Sequence, residues 1–345
     1  MKSVVRVGSL KIGANNPVVV KGMIKSSFDD RAGLIKEAKA LEKEGCQILR
    51  IAIEKKQDAQ IIDILKSRIN IPVEADIHFD YRLAILSLEK GVDCLRLNPL
   101  NINKLKQIRQ VVALAKDKDI PIRVGVNSGG FKGKRSEDLL VSSMAKEIFS
   151  YIKIMENLKF KKIMVSAKAP SARVTLKVNQ LLYKKLDYPI HLGLTATGPF
   201  YEGLIKSSIT LGILLYQGIG SALRVSLNSS SLEEVKAAKV ILQSLGLGFF
   251  YPEIISCPTC SRCKVDLRAK VEKFKKILNS NSNNSYNKKV KIALMGCPVN
   301  GPGEASSADI GIAFGKNYGV LFKEGRPIKR IGHKLYSKVL LDSLK

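Results

Sequence analysis

The chain has 345 residues, of which 45% are hydrophobic and 26% charged, with a formal net charge of +28. The length and apolar content fit a globular protein of two domains with a substantial core. No apolar run approaches the roughly 18 residues of a membrane span, and Met1 to Leu10 lack the apolar core of a signal peptide, so no membrane-spanning helix is expected and a cytoplasmic protein is.

In that compartment the six cysteines read as thiols or metal ligands and not as disulfides. The lysines are spread along the whole chain, on helix surfaces such as Lys36, Lys39 and Lys43, and no block forms a basic tail. This argues for a solvated lysine-rich surface over a nucleic-acid site. The excess charge also draws in anionic substrates or a negatively charged redox protein.

From Asn16 one unit repeats: a short β-branched strand followed by an amphipathic helix. Strands are predicted at Val18–Val20, Ile48–Ile53, Val73–Ile77, Cys94–Asn98, Ile122–Val126, Ile163–Ser166, Ile190–Leu194 and Leu223–Leu227. Between them, apolar residues three and four apart predict helices over 32–43, 81–89, 105–116, 139–157, 172–186, 203–217 and 232–245. Gly45, Gly91 and Gly246 stand where helices should stop. Eight strands alternating with helices predict a parallel TIM (β/α)8 barrel over residues 1–247. No Gly-rich nucleotide loop follows the first strand, which weighs against a doubly wound sheet. The first 15 residues read as an extra hairpin at the barrel's lower end.

Past Phe250 the rhythm changes, and residues 248–345 are predicted to form a small α+β domain. Its expected elements are a helix from about Val265 to Leu278, strands at Lys291–Met295, Ile310–Phe314 and Val320–Phe322, and a closing helix over 334–344. The Asn/Ser-rich stretch Asn279 to Asn287 reads as a surface loop.

In a TIM barrel the chemistry lies at the C-terminal ends of the strands. Five strands here carry one cation each in apolar surroundings: Arg50, Arg96, Arg123, Lys168 and Arg224. Burying an unpaired cation costs several kcal/mol, so these need anionic partners. The local acids Glu74, Asp76 and Asp93 are too few. An anion-binding funnel follows, most simply for a diphosphate, whose oxygens match the planar guanidinium fork. Asp76, His78, Asn98, Asn127, Ser166, Thr195 and Ser226 are then the polar residues that orient the rest of the ligand. His78 is also the candidate general acid, His191 a positioning group, and Cys46 and Cys94 packed thiols.

The motif Cys257-Pro258-Thr259-Cys260-Ser261-Arg262-Cys263 and the Gly/Pro-rich turn from Gly296 to Glu304, containing Cys297, make a soft-metal site. Spacing alone leaves two forms open. One is structural zinc on Cys257, Cys260, Cys263 and Cys297. The other is an iron–sulfur cluster on three thiolates and a weaker ligand, which the nearby carboxylate of Glu304 favours.

The motifs Ala75-Asp76-Ile77-His78-Phe79-Asp80-Tyr81-Arg82, Gly91-Val92-Asp93-Cys94-Leu95-Arg96, Cys257-Pro258-Thr259-Cys260-Ser261-Arg262 and Val299-Asn300-Gly301-Pro302-Gly303-Glu304 resemble the 4-hydroxy-3-methylbut-2-enyl diphosphate synthase family, from about Val18 to Phe322. The resemblance implies a TIM barrel followed by a cluster domain like those of sulfite reductases. It implies a 4Fe–4S cluster on Cys257, Cys260, Cys297 and Glu304, and a homodimer in which one subunit's cluster domain caps the other's barrel. The implied reaction is the two-electron reductive opening and dehydration of 2-C-methyl-D-erythritol 2,4-cyclodiphosphate, with flavodoxin or ferredoxin as donor. Arg50, Arg96, Arg123, Lys168 and Arg224 would hold the diphosphate, and Asp76, Asn98, Asn127, Ser166 and Ser226 would line the pocket. Asn300 would reach in from the cluster domain, and Glu304 would give way to a substrate oxygen.

Three departures stand out. Lys21-Gly22-Met23-Ile24 replaces the family's Gln-Ser-Met-Thr, Ala196 stands where the family has a Glu, and Cys263 replaces a Gln or Thr. The missing acid at position 196 keeps a rival reading in view: a diverged paralogue that binds but does not catalyse. A nucleic-acid-binding protein with structural zinc is the other rival.

Overall fold

The computed structural model describes residues 2–280 and 289–344, which divide into two compact units, Met1–Gly248 and Phe249–Lys345. The first unit opens with an antiparallel hairpin, β1 (Val4–Val7) and β2 (Leu10–Gly13). Eight parallel strands follow: β3 (Val19–Met23), β4 (Ile48–Ile53), β5 (Val73–Ile77), β6 (Cys94–Leu97), β7 (Ile122–Asn127), β8 (Ile163–Lys168), β9 (His191–Leu192) and β10 (Ala222–Leu223). They run in the order β8-β7-β6-β5-β4-β3-β10-β9, and a parallel bridge from Val165 to Ile190 brings the two ends together. The sheet is thus a TIM barrel.

Its helices are α1 (Arg31–Glu44), α2 (Gln60–Lys66), α3 (Tyr81–Glu89), α4 (Leu105–Asp117), α5 (Glu137–Asn157), α6 (Ala172–Lys185), α7 (Phe200–Tyr216) and α8 (Ser231–Ser244). Local chemistry sets their ends. Asp30, Asp80, Ser136, Ser171 and Ser230 cap N-termini through side-chain oxygens. Gly45, Gly91 and Gly246 take the left-handed conformation that ends a helix without a Cβ clash. The short α2 escapes the sequence reading because a seven-residue segment carries too few periods to register.

Val5, Val7 and Ile12 of the hairpin pack on Val19, Ile48, Cys94, Met164 and Ala222, all at or near strand starts. The hairpin therefore plugs the N-terminal end of the barrel. Above the plug the interior is polar. Alternation along the strands turns Lys21, Arg50, Glu74, Asp76, Arg96, Arg123, Ser166, Lys168 and His191 inward, and all are buried. β3 to β10 thus build a barrel whose core is charged where most are aliphatic.

The second unit is a five-stranded mixed sheet in the order β11 (Glu253–Ser256), β12 (Lys291–Met295), β13 (Ile310–Phe314), β14 (Gly319–Lys323) and β15 (Arg326–Ile331). The first three strands are parallel and the last two antiparallel. α9 (Leu267–Ser280) and α11 (Tyr336–Asp342) bury Phe274, Tyr336 and Leu340 against the sheet, and the one-turn α10 (Gly301–Glu304) sits between β12 and β13. Two edge strands, β11 and β15, are absent from the sequence expectation. β15 is exposed over its first five residues and carries Pro327 with Arg326, Lys329 and Arg330, the composition of a protected sheet edge and not of a buried strand. The Asn/Ser-rich stretch read as a loop lies outside the described residues except for Asn279 and Ser280, which end α9.

Candidate functional site

Two carboxylates organise the barrel interior. Asp76 sits between two arginines: Oδ2 accepts from Arg50 Nη2, and Oδ1 accepts from Arg96 Nη1 at 3.1 Å. His78 Nε2 lies 3.0 Å from Oδ2. Glu74, one pleat below, accepts from Lys21 Nζ at 2.6 Å and from Arg123 Nε at 3.2 Å, and Arg123 Nη2 meets its other oxygen. Burial alone would push both carboxyls up. The surrounding cations overcome this and hold both well below the usual range, led by Arg123 and Lys21 at Glu74 and by Arg50 at Asp76. Arg50, about nine-tenths buried, is pulled down to about 10 by desolvation against the pull of Asp76.

Beyond these two carboxylates the support is thinner. Arg123 Nη1 donates to Ser166 Oγ at 2.8 Å, and Arg96 Nη2 donates to the Gly125 carbonyl at 2.8 Å. Arg224 Nη2 meets Glu234 Oε2 of α8 at 3.0 Å, but Glu234 also takes Lys25 at 2.8 Å. Lys168 Nζ lies 3.0 Å from His191 Nε2 and has no carboxylate partner among the described residues. The Nε atoms of Arg50, Arg96 and Arg224 are buried without acceptors; Arg50 Nε is 3.8 Å from Glu74, too far for a hydrogen bond. The interior holds donors in excess of acceptors.

The structure brings together Arg50, Asp76, His78, Arg96, Arg123, Ser166 and Lys168. Asn98, Asn127, Thr195, Arg224 and Ser226 stand at or just beyond the C-terminal ends of β6, β7, β9 and β10, the same rim. One expectation is corrected. Asp93 is not a partner of these cations: it accepts from Lys66 at 2.8 Å and from the Val73 N–H, away from the interior. Glu234 takes that role, a helix residue whose inward position no strand pattern could signal. Sequence reasoning also missed Lys21 as part of the interior. Its only trace is a lysine interrupting the apolar run from Val18 to Met23.

In the second unit Cys257 follows β11, and Gly296 and Cys297 follow the paired β12. The Gly296 N–H donates to Cys257 Sγ at 3.2 Å. A Cβ on Gly296 would lie 2.7 Å from Cys263 Sγ and 3.4 Å from Cys257 Sγ, so only glycine lets these sulfurs approach the turn. The N–H groups of Asn300, Val299 and Gly301 face the Cys297 sulfur and lower its pKa. Cys263 Sγ donates to the Val265 carbonyl at 3.2 Å. Cys260 and Glu304 are exposed, and Thr259 between the first two cysteines has φ 69°, strained for a β-branched residue. Among the described residues no three His, Cys, Asp or Glu side chains stand assembled as a ligand group. The donor chemistry nevertheless fits a soft, negatively charged centre: thiols on adjacent turns, with backbone N–H groups directed at sulfur.

Residues 2–239 match the family described as the GcpE TIM-barrel domain, and residues 253–345 match the GcpE protein C-terminal domain. The chain belongs to the GcpE family. A relative from Fusobacterium nucleatum is 42% identical over 99% of this chain and 95% of its own. Another, from Caldanaerobacter subterraneus, is 41% identical over the same shares. Both are named 4-hydroxy-3-methylbut-2-en-1-yl diphosphate synthase (flavodoxin). Among solved structures, a dihydropteroate synthase from Coxiella burnetii shares the barrel fold, at 14% identity with TM-score 0.52 over 71% of this chain and 99% of that one. In this GcpE chain the barrel's C-terminal rim and the cysteine turns are therefore the two places to look for chemistry.

Proposed function

We infer that this chain is a 4-hydroxy-3-methylbut-2-en-1-yl diphosphate synthase. It opens and dehydrates 2-C-methyl-D-erythritol 2,4-cyclodiphosphate with two electrons from flavodoxin or ferredoxin. Full-length relatives with that printed name support the reading. The observation that carries it is the acceptor deficit inside the barrel, with three guanidinium Nε atoms buried and unpartnered beside an amine without a carboxylate. A diphosphate supplies acceptors in the geometry that arginine prefers.

Arg50, Arg96, Arg123, Lys168 and Arg224 hold the phosphates. Asp76, Asn98, Asn127, Ser166, Thr195 and Ser226 orient the carbon skeleton. His78 is oriented by Asp76 and placed to pass a proton at Nε2. The unit Phe249–Lys345 carries the redox centre. Cys257, Cys260, Cys297 and Glu304 would hold a 4Fe–4S cluster, which supplies single electrons that side chains cannot. Asn300, whose N–H backs Cys297, completes the catalytic set.

The working unit is a homodimer in the cytoplasm. In support, α7 exposes an apolar stripe of Tyr201, Ile205, Ile209, Ile213 and Tyr216, larger than a solvated helix face needs. Among the described residues no helix is long and apolar enough to cross a membrane.

The test is turnover. Protein reconstituted with iron and sulfide without oxygen, given the cyclic diphosphate and reduced flavodoxin, should release the linear diphosphate, detected by mass spectrometry. A brown preparation with about four irons and no product would overturn the reading in favour of a binding protein.

A further inference from the structure

Lys168 and His191 form a polar pair in the barrel interior to which, among the described residues, no carboxylate contributes. Both are buried, at 5% and 1% exposure, and Nζ faces Nε2 at 3.0 Å. The other imidazole nitrogen, Nδ1, is buried without a partner. Gly193 makes room for the amine: a Cβ there would lie 2.7 Å from Nζ.

The charged groups acting on the pair come from five strands: Lys21 of β3, Arg50 of β4, Glu74 of β5, Arg123 of β7, and Arg224 just beyond β10. Glu74 is the single anion among them, and Lys21 and Arg123 already occupy its oxygens. Desolvation first and the neighbouring arginines second therefore drive Lys168 well below its ordinary range, and burial with Lys168 does the same to His191. Buried at 3.0 Å from each other, with no carboxylate against either among the described residues, the amine and the imidazole have nothing to offset a charge, so a neutral pair is the state expected of the ligand-free site.

We propose that anion binding in this barrel loads one proton from solvent onto the Lys168–His191 pair, with His191 as the positioning residue that accepts from the resulting ammonium. The inference rests on the diphosphate reading given above. Entry of a ligand with two negative phosphates reverses the sign of the local field. The amine then takes a proton and donates to a phosphate oxygen and to His191 Nε2. The pair works as a charge reserve: it spares the empty barrel one more unpaired cation and supplies that cation when the ligand arrives. By linkage, a site that gains a proton on binding loses affinity as pH rises, by up to about tenfold per unit wherever the free pair is neutral and the bound pair charged.

The test is calorimetric titration of the full chain with the cyclic diphosphate, without reductant so that no turnover occurs, at pH 8 in buffers of different ionisation enthalpy. The ligand's phosphodiester groups do not titrate near this pH, so the buffer dependence counts protons taken up by protein. The wild type should take up about one proton per ligand. Lys168→Arg, permanently charged, should bind with no uptake and a flat pH profile. His191→Gln, which keeps an acceptor, should retain uptake and bind within a few-fold of wild type. His191→Leu should bind at least about tenfold more weakly. Tight binding with no proton uptake by the wild type overturns the proposal and leaves the diphosphate reading intact. Uptake that persists in Lys168→Arg overturns it as well. Absence of binding by the wild type removes the diphosphate reading itself, and the proposal with it.

Discussion

Replacing Lys21 by Met tests whether the charged barrel core is a structural requirement of this chain. Lys21 is fully buried, and its Nζ is 2.6 Å from Glu74 Oε2. Met fills similar space but leaves that oxygen without its ammonium. Removing one partner of a buried ion pair costs about 3–5 kcal/mol. Here the lower end applies, because Glu74 keeps Arg123 on both oxygens. A loss of about 3 kcal/mol in a unit of this size corresponds to roughly 6–12 °C in melting temperature.

Lys21→Gln, whose amide still donates to Glu74, should lose about half as much. Urea unfolding followed by circular dichroism is the assay, since guanidinium chloride would screen the effect. The pH dependence adds a second reading. Glu74 is depressed in the folded state, so its contribution is fully present above the unfolded carboxylate value of about 4.3 and disappears as pH falls through the lower folded value. Without Lys21 that depression is smaller, and acid unfolding should begin at higher pH. A Lys21→Met protein as stable as wild type at pH 7 would refute the reasoning, and would mark the pair as replaceable by apolar packing.

Other expectations follow from single contacts. A Cβ on Gly22 would lie 2.9 Å from Cys46 Sγ, so Gly22→Ala should destabilise by about 1–3 kcal/mol, and Cys46→Ala should recover part of that loss in a double-mutant cycle of melting curves. Cys46, pushed up to about 12 by burial, and Cys94, pushed up by burial and by Glu74, should resist a thiol reagent in the folded chain and react only in denaturant, as counted by mass spectrometry. Asp76→Asn weakens the hold on Arg50 and Arg96 together, and should raise KM for the cyclic diphosphate by roughly 10- to 100-fold in steady-state assays. Ile209→Lys, in the middle of the exposed α7 stripe, should turn a dimer into a monomer by light scattering while leaving the melting temperature of the barrel unchanged.

What the sequence revealed depended on how strongly each element is patterned. β4, β5 and β8 carry apolar residues broken only by the inward-facing Arg50, Glu74, Asp76, Ser166 and Lys168, and they lie between helical patterns, so their positions follow from the sequence. β9 and β10 are shorter than expected, two residues each where the apolar pattern suggested five. β3 runs on past Val20 to Met23 because Lys21, unremarkable as a surface lysine, is anchored inside by Glu74. The arginines could be recognised as a set because burying guanidinium groups without a reason is costly. Their partners could not all be recognised: Glu234 belongs to a helix, and whether its carboxylate turns inward depends on how α8 packs on the barrel. The cysteine turns were visible as motifs, yet spacing could not fix which thiol lies next to which turn. Gly296, by admitting both Cys257 and Cys263, is where that is decided.

The carboxylates in the barrel need a reason, since Glu74 and Asp76 weaken the attraction between the arginines and any incoming anion. Without them, Lys21, Arg50, Arg96, Arg123 and Arg224 would repel one another in a desolvated space, and the free barrel would open or bind stray anions. With them, Arg50, Arg96 and Arg123 are each held in one rotamer by a charge-assisted bond, and the ordering cost is met during folding instead of during binding. The compromise succeeds because the carboxylates engage only part of each fork. Arg50, Arg96 and Arg224 each keep an Nε without an acceptor, and Lys168 keeps its amine clear of any acid. A site built this way is selective as well as strong. A monoanion would leave several of these donors still unsatisfied, whereas a doubly phosphorylated ring offers acceptors on two phosphates at once.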